Sequence, residues 1–147
     1  MIKLSLPHLA GKEKEYVNQA IDSTWIVPLG PWVDEFEHRL ERFLHAPDVV
    51  ALSAGTAAIH LGLVMAAVKP GDEVICQDLT FSASCNPITY LGATPVFVDS
   101  ESDTWNMDPT LLETAIRERY AATGRYPAAI IPVSYTHLRA HETGRNL

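Results

Sequence analysis

From residue 48 onward, short apolar runs rich in valine and isoleucine alternate with longer stretches that have helical spacing. This alternation is typical of a parallel sheet whose strands are joined by crossover helices, so it predicts an α/β fold. The predicted strands are Val49 to Leu52, Val74 to Cys76, Val96 to Val98 and Ala129 to Val133. The predicted helices are Thr56 to Val68, Ser82 to Leu91 and Pro109 to Tyr120, the last capped by Asp108.

The first 47 residues follow a different pattern, in which two helices are joined by an apolar loop. Tyr16 to Ile21 have the apolar spacing of one helix, and Pro31 begins a second whose apolar residues, Val33 to Phe43, share a face. The loop between them, Thr24 to Gly30, contains Trp25. Such a loop is either packed core or the wall of a ligand site, and composition alone favours core.

Charge and composition exclude several classes of function. The 11 basic and 18 acidic residues give a net charge of −7, and no basic stripe is present that could bind a nucleic acid backbone. No segment has the roughly 18 apolar residues of a membrane span, and the first nine residues do not form a signal peptide. Two cysteines are too few for a disulfide framework or a zinc site. We therefore expect a cytoplasmic protein without nucleic acid, membrane or metal partners.

The most informative stretch is S-A-G-T-A-A-I-H, residues 53–60, where a predicted strand ends and a helix begins. Small side chains let a ligand approach the backbone, and the start of a helix offers unpaired amides and a positive dipole end. These features predict a phosphate site at Gly55, Thr56 and Ala57, to which Thr56 adds a hydroxyl. The stretch has neither the GxGxxG nor the Walker pattern, and strand-to-helix turns need small residues for structural reasons as well. Spacing alone leaves both interpretations open.

A second candidate site residue follows the next predicted strand, in the stretch D-L-T-F-S-A-S of residues 78–84. Neighbouring strands of a doubly wound sheet direct their carboxyl ends into one crevice. The ring of Phe81 could therefore stack on a flat heterocycle held at residues 55–57. The alternative is an ordinary apolar residue at the start of a helix.

Several segments, in order, resemble the DegT-type sugar aminotransferases, which are pyridoxal-phosphate enzymes of fold type I that act on nucleotide-linked keto sugars. They include W-I-V-P-L-G-P, S-A-G-T-A-A-I-H-L-G-L, P-G-D-E-V-I, D-L-T-F-S-A-S-C-N-P-I and G-A-T-P-V-F-V-D, and the resemblance covers residues 2–133 nearly without a gap. It implies the amino-terminal part of the large cofactor-binding domain, a mainly parallel sheet with flanking helices. The opening residues and the W-I-V-P-L-G-P loop look most like the branch that aminates a UDP-linked 4-keto-6-deoxy-N-acetylhexosamine.

The resemblance also implies roles for single residues. Residues 55–57 would hold the phosphate of pyridoxal 5'-phosphate, and Phe81 would stack on its ring. Trp25, Pro28 and Gly30 would help to wall the sugar-nucleotide site, against the core interpretation of their loop. The implied partners are a nucleotide-sugar substrate, an amino-acid donor, with glutamate expected, and a second copy of the full-length chain in a homodimer.

Transamination through this cofactor needs a lysine that bonds to it covalently and a carboxylate on its ring nitrogen. The resemblance places both downstream of the phosphate site, and none of the four lysines matches the catalytic position: Lys3, Lys12, Lys14 and Lys69. We therefore assign no catalytic residue and expect an inactive amino-terminal fragment. Two alternatives stay open: a sugar dehydratase of the same family, in which that lysine is replaced, and a non-catalytic phosphate- or nucleotide-binding α/β module.

The last part of the chain departs from the family pattern. Residues 134–147 resemble a translated sequencing adapter, so we divide the chain into residues 1–47, 48–133 and 134–147 and exclude the last from fold reasoning. His137 and His141 have a metal-binding spacing, but no acidic residue is placed to make an H-E-x-x-H site, and the adapter interpretation outweighs the metal one. The acidic residues between Asp34 and Glu41 are interpreted as a solvated helix face, and His60 as a structural residue.

Overall fold

The computed structural model describes residues 8–134, which fall into two compact units that divide after Ala51. The tail from residue 135 onward, with His137 and His141, lies outside the described residues. In the first unit, the two predicted helices are present as α1 (Glu13–Asp22) and α2 (Pro31–Leu44). Helix α2 begins with proline in its first turn, where a missing amide hydrogen costs nothing, and it ends at a left-handed His45.

The second unit contains a parallel sheet of three strands in the order β2-β1-β3. The strands are β1 (Glu73–Gln77), β2 (Thr94–Val98) and β3 (Ala129–Ile131). The central strand is the most deeply buried, since Val74 to Gln77 have no solvent exposure. The predicted α/β class with a parallel sheet is confirmed.

Four helical segments flank the sheet: α3 (Gly55–Met65), the 3-10 turn Ser82–Ser84, α4 (Asn86–Tyr90) and α5 (Pro109–Thr123). Alternate residues of β1 face opposite layers, as strand geometry requires. Val74 and Cys76 join the core cluster of α3 and α4, and Ile75 joins the cluster that packs against α5. Helix α5 is capped as predicted, because the Asp108 carboxylate accepts hydrogen bonds from the amides of its first turn.

Three details of the prediction are wrong. Residues 49–52 do not form a strand: within residues 8–134 no strand pairs with them, and the amide of Ala51 donates instead to the Glu37 carboxylate at 2.7 Å. The helix predicted for Ser82 to Leu91 is divided into the 3-10 turn and α4, where proline stands at the start of the second helix. Strand β3 stops at Ile131 because Pro132 has no amide hydrogen for a ladder.

An ion pair ties α5 to the amino end of β1. The Arg119 guanidinium lies 2.9 and 2.5 Å from the two carboxylate oxygens of Glu73, whose side chain is only 16% exposed. The hydrogen bond from Arg119 is the largest cause that holds the pKa of Glu73 below its ordinary value of 4.5, and burial opposes it. The pair therefore stabilises the fold fully above pH 4.5, and this stabilisation is lost as the pH falls through the lowered pKa.

We predict that Glu73→Gln lowers the melting temperature at pH 7 and that the difference from wild type shrinks as the pH falls below 4.5. Thermal unfolding followed by circular dichroism between pH 3 and 7 measures this. Glu113→Gln is the control, because it breaks the pair between Glu113 and Arg117, whose side chains are 66% and 76% exposed. Equal losses in the two variants at pH 7 would contradict the prediction.

Candidate active site

Among the described residues, three backbone amides at the amino end of α3 have no hydrogen-bond acceptor. Ala54 is extended, with φ −162° and ψ 159°, and no side chain caps the helix. The first hydrogen bond of the helix runs from the amide of Ala58 to the carbonyl of Ala54, at 3.1 Å. Within residues 8–134, the amides of Gly55, Thr56 and Ala57 therefore have no hydrogen-bond acceptor. Together with the positive end of the helix dipole, they can bind an anion.

Gly55 leaves room for such an anion. Apart from its chain neighbours and its own helix backbone, no atom of residues 8–134 lies within 4 Å of a Cβ atom built on Gly55, so the space beside the first helical residue is open. Thr56 and Ala57 are half-buried, so they are held in place while still reachable. Three free amides, a hydroxyl and open space fit a phosphate monoester, the group by which pyridoxal 5'-phosphate would be held here.

Phe81 belongs to the same edge of the sheet. It follows β1 and caps the 3-10 turn, with an extended backbone at φ −72° and ψ 142°. The connection from the end of α3 to β1 is only residues 66–72, so the chain turns back and the start of α3 lies toward the carboxyl end of β1. Accordingly, α3 packs against both the 3-10 turn and α4. The structure thus places residues 55–57 and Phe81 at the starts of two contacting elements.

The predicted substrate residues lie in the first unit, in a loop that is not packed core. Trp25 is 47% exposed, and none of the residues between Thr24 and Leu29 is buried. The Trp25 indole donates a hydrogen bond to the carbonyl of Leu29 at 2.8 Å, and its ring lies against Gly30. Gly30 has φ 106° and no room for a side chain beside the indole, so glycine is required there twice over.

One well-placed residue was missed by sequence reasoning. Gln77, the last residue of β1, is completely buried, and its side-chain amide donates to Ser100 Oγ at 2.6 Å and to the Trp105 carbonyl at 2.9 Å. Its oxygen accepts from the Val133 amide at 3.3 Å. Gln77 therefore joins the segments that leave β2 and β3 at the carboxyl edge of the sheet. The available signal was a polar residue at the end of the apolar run V-I-C.

The other titratable side chains considered in the sequence, those of His60 and the acidic residues of α2, make packing contacts or hydrogen bonds within the protein. His60 is half-buried, and its ring packs edge-on against Tyr90 with centroids 5.6 Å apart. In the predicted solvated face of α2, Glu35 is exposed and pairs with Arg39, but Glu37 is half-buried and fixes the backbone at Ala51.

Within the described residues, the cysteine thiols and the potential metal ligands do not form a second candidate site. Cys76 and Cys85 are both free thiols, and burial is the largest cause that raises the pKa of Cys76 to about 11. Residues 8–134 contain no cluster of three histidine, cysteine or acidic side chains that could hold a metal ion. None of the helices within this range is long and apolar enough to span a bilayer.

Comparison with known proteins identifies relatives over most of the chain. EpsN of Bacillus subtilis (strain 168), provisionally named as a pyridoxal phosphate-dependent aminotransferase, is 50% identical over 133 residues, which are 90% of this chain and 34% of EpsN. The GDP-perosamine synthase of Escherichia coli O157:H7 is 45% identical over 79% of this chain and 32% of its own length. The chain spans about a third of the length of these curated relatives.

The fold is shared with a solved structure as well. The protein Spr1654 from Streptococcus pneumoniae, provisionally named as a sugar aminotransferase and solved in its PMP form, superposes with a TM-score of 0.73 at 41% identity. The match covers 89% of this chain and 31% of that one. Residues 7–138 match the DegT/DnrJ/EryC1/StrS aminotransferase family. This chain therefore belongs to the DegT/DnrJ/EryC1/StrS aminotransferase family.

Proposed function

We propose that the full-length protein containing this chain transfers an amino group to the keto carbon of a nucleotide-linked sugar, with pyridoxal 5'-phosphate as its cofactor. The observation that carries the proposal is that three amides without acceptors among residues 8–134, and an open space at Gly55, begin helix α3, which contacts the 3-10 turn capped by the exposed Phe81. Such an arrangement suits a ligand with both an anionic group and a flat heterocycle. The name of EpsN, which is 50% identical, supports the choice of cofactor.

In this proposal, the residues of the chain bind and orient the cofactor. The amides of residues 55–57 and the Thr56 hydroxyl donate hydrogen bonds to the phosphate, and Phe81 covers one face of the ring. The cofactor, when bound, supplies an electron sink through which an amino group can be carried from donor to acceptor. The lysine and the carboxylate that this chemistry needs are assigned to the rest of the full-length protein. Lys69 is the only lysine among the described residues of the second unit, and it lies in the turn before the amino end of β1.

The proposed substrate is UDP-4-keto-6-deoxy-N-acetylhexosamine, with glutamate as the amino donor and Trp25, Pro28 and Gly30 at the sugar-nucleotide site. The name of the 45% identical GDP-perosamine synthase supports a nucleotide sugar and makes a GDP-linked keto sugar the competing substrate. The open, exposed loop around Trp25 supports a binding role over a core role. The proposed assembly is a homodimer of the full-length chain.

The decisive experiment supplies purified full-length protein with pyridoxal 5'-phosphate, glutamate and either a UDP-linked or a GDP-linked 4-keto-6-deoxy sugar. We expect 2-oxoglutarate and an amino sugar with the UDP substrate, detected by mass spectrometry. Amination of only the GDP substrate would overturn the substrate assignment. Loss of a sugar hydroxyl without gain of nitrogen would establish a dehydratase, and failure to bind the cofactor would favour the non-catalytic module.

A matched pair of threonine variants tests the phosphate contact. Thr56→Ala is expected to weaken cofactor retention by about 0.5 to 3 kcal/mol, because it removes one hydroxyl contact to a charged group. Cofactor release during dialysis, followed by absorbance, measures this. Thr114→Ala removes an exposed helical hydroxyl that bonds to the Thr110 carbonyl, and it should leave retention unchanged. Unchanged retention in Thr56→Ala would exclude Thr56 from the phosphate site.

A further inference from the structure

The ring of Phe81 is one of the most exposed large apolar side chains of the described residues. Phe81 is 78% exposed, whereas Ile88, on the following helix α4, is completely buried. Packing does little to fix the direction of so exposed a ring, so the rotamers open to it are limited mainly by the backbone that carries it. The structure must therefore fix the backbone of residues 80–84 if this ring is to meet a ligand in one orientation.

Ser84 takes part in two hydrogen bonds that close the backbone around Phe81. The amide of Ser84 donates to the carbonyl of Phe81 at 2.9 Å. The Ser84 hydroxyl lies 2.7 Å from the Thr80 hydroxyl, so one bond joins the residues before and after the ring. Ser84 is only 8% exposed, and a buried hydroxyl bond is costly to leave unmade. Phe81 is thus held between two residues that bond to each other.

We propose that Ser84 is a positioning residue for the cofactor, which acts by fixing the orientation of the Phe81 ring. This inference rests on the proposed function, because it assigns to the ring the role of covering the cofactor. The 3-10 turn also packs against α3, whose amino end carries the phosphate site. A turn closed by Ser84 therefore sets the position of the ring relative to residues 55–57.

The same turn offers a matched control. Ser82 is exposed, and its backbone carbonyl, not its hydroxyl, accepts hydrogen bonds from Cys85. Ser82→Ala therefore removes a hydroxyl next to Phe81 without opening the turn. Thr80→Val is a second test variant, because it removes the other partner of the buried hydroxyl bond and nearly preserves side-chain shape.

The experiment is a double-mutant cycle on the dissociation constant of pyridoxal 5'-phosphate, measured by absorbance with the full-length protein. Ser84→Ala and Thr80→Val are each expected to raise the constant about three- to tenfold, and Phe81→Leu about tenfold. In the Phe81→Leu background, Ser84→Ala should raise the dissociation constant by less than about twofold, because the ring through which Ser84 acts is absent. Ser82→Ala should leave the constant unchanged.

A second readout needs no cofactor. Fluorine NMR of 4-fluorophenylalanine placed at position 81 reports the order of the ring in the cofactor-free protein. Ser84→Ala and Thr80→Val should shift or broaden its resonance, and Ser82→Ala should not. An unchanged resonance in both test variants overturns the inference, as does an additive cycle. If the wild-type protein binds no pyridoxal 5'-phosphate, both the proposed function and the role of Ser84 in cofactor binding are overturned. The fluorine resonance then still shows whether Ser84 orders the Phe81 ring.

Discussion

Replacing Gly55 with alanine is expected to weaken the binding of pyridoxal 5'-phosphate by about tenfold or more, roughly 1.4 kcal/mol, without destabilising the protein. Among residues 8–134, apart from its chain neighbours and the backbone of its own helix, the Cβ of the new residue would meet no atom within 4 Å. Alanine also has the higher helix propensity, so the free energy of unfolding should stay constant or rise by up to about 1 kcal/mol. No clash with residues 8–134 therefore explains glycine at position 55, whereas a phosphate bound in the open space, as proposed, would explain it.

Gly62→Ala is the matched control for this variant. Gly62 lies in the same helix, and a Cβ there would also meet nothing within 4 Å. This change should stabilise the helix in the same way, by about 1 kcal/mol, and leave cofactor affinity unchanged. Cofactor titration and chemical unfolding of both variants, in the full-length protein, separate the two effects. Wild-type affinity in Gly55→Ala would mean that the phosphate does not occupy the space beside residue 55.

The second large effect is expected from Gln77→Leu, which should lower the free energy of unfolding by about 2 to 4 kcal/mol. Gln77 is completely buried and bonds to Ser100, Trp105 and Val133 at the same time. Leucine fills a similar volume but leaves a hydroxyl, a carbonyl and an amide without their partner. Each unsatisfied group carries a desolvation penalty that the gain in apolar burial only partly offsets.

Urea unfolding followed by circular dichroism measures this change. The control is Gln19→Leu, because the Gln19 side chain is exposed and, within the described residues, bonds only to Glu15 one turn earlier on α1. Its effect should stay within about 0.5 kcal/mol. If Gln77→Leu were as stable as wild type, the three hydrogen bonds at the carboxyl edge would contribute nothing net to the fold.

The sheet and its helices could be predicted because their signals are local. Valine and isoleucine runs mark the three strands, and Asp108 followed by Pro109 marks the start of α5. Two of the failures arise at local proline signals, Pro87 and Pro132, and the third is non-local. The run V-V-A-L at residues 49–52 has the composition of a strand, but a strand also needs a partner, and composition does not reveal whether one is present.

The candidate site could be predicted to a similar extent. Strand and helix order placed residues 55–57 and Phe81 at one edge of the sheet, and the structure puts them on contacting elements. The open space at Gly55 and the exposure of Phe81 follow from packing, which no spacing rule conveys. Gln77 was missed for a related reason, since its bonding partners lie 23, 28 and 56 residues away in the sequence.

Those long separations have a consequence for how the chain folds during synthesis. The side chain of Gln77 leaves the ribosome long before Val133, the residue that completes its hydrogen bonds. Before Val133 is synthesised, the side-chain oxygen of Gln77 lacks the amide that it finally bonds to. Burial of β1 at that stage is therefore disfavoured. Contacts between distant residues close slowly, so docking of the segment after β3 should be a late, rate-limiting event in maturation of this unit.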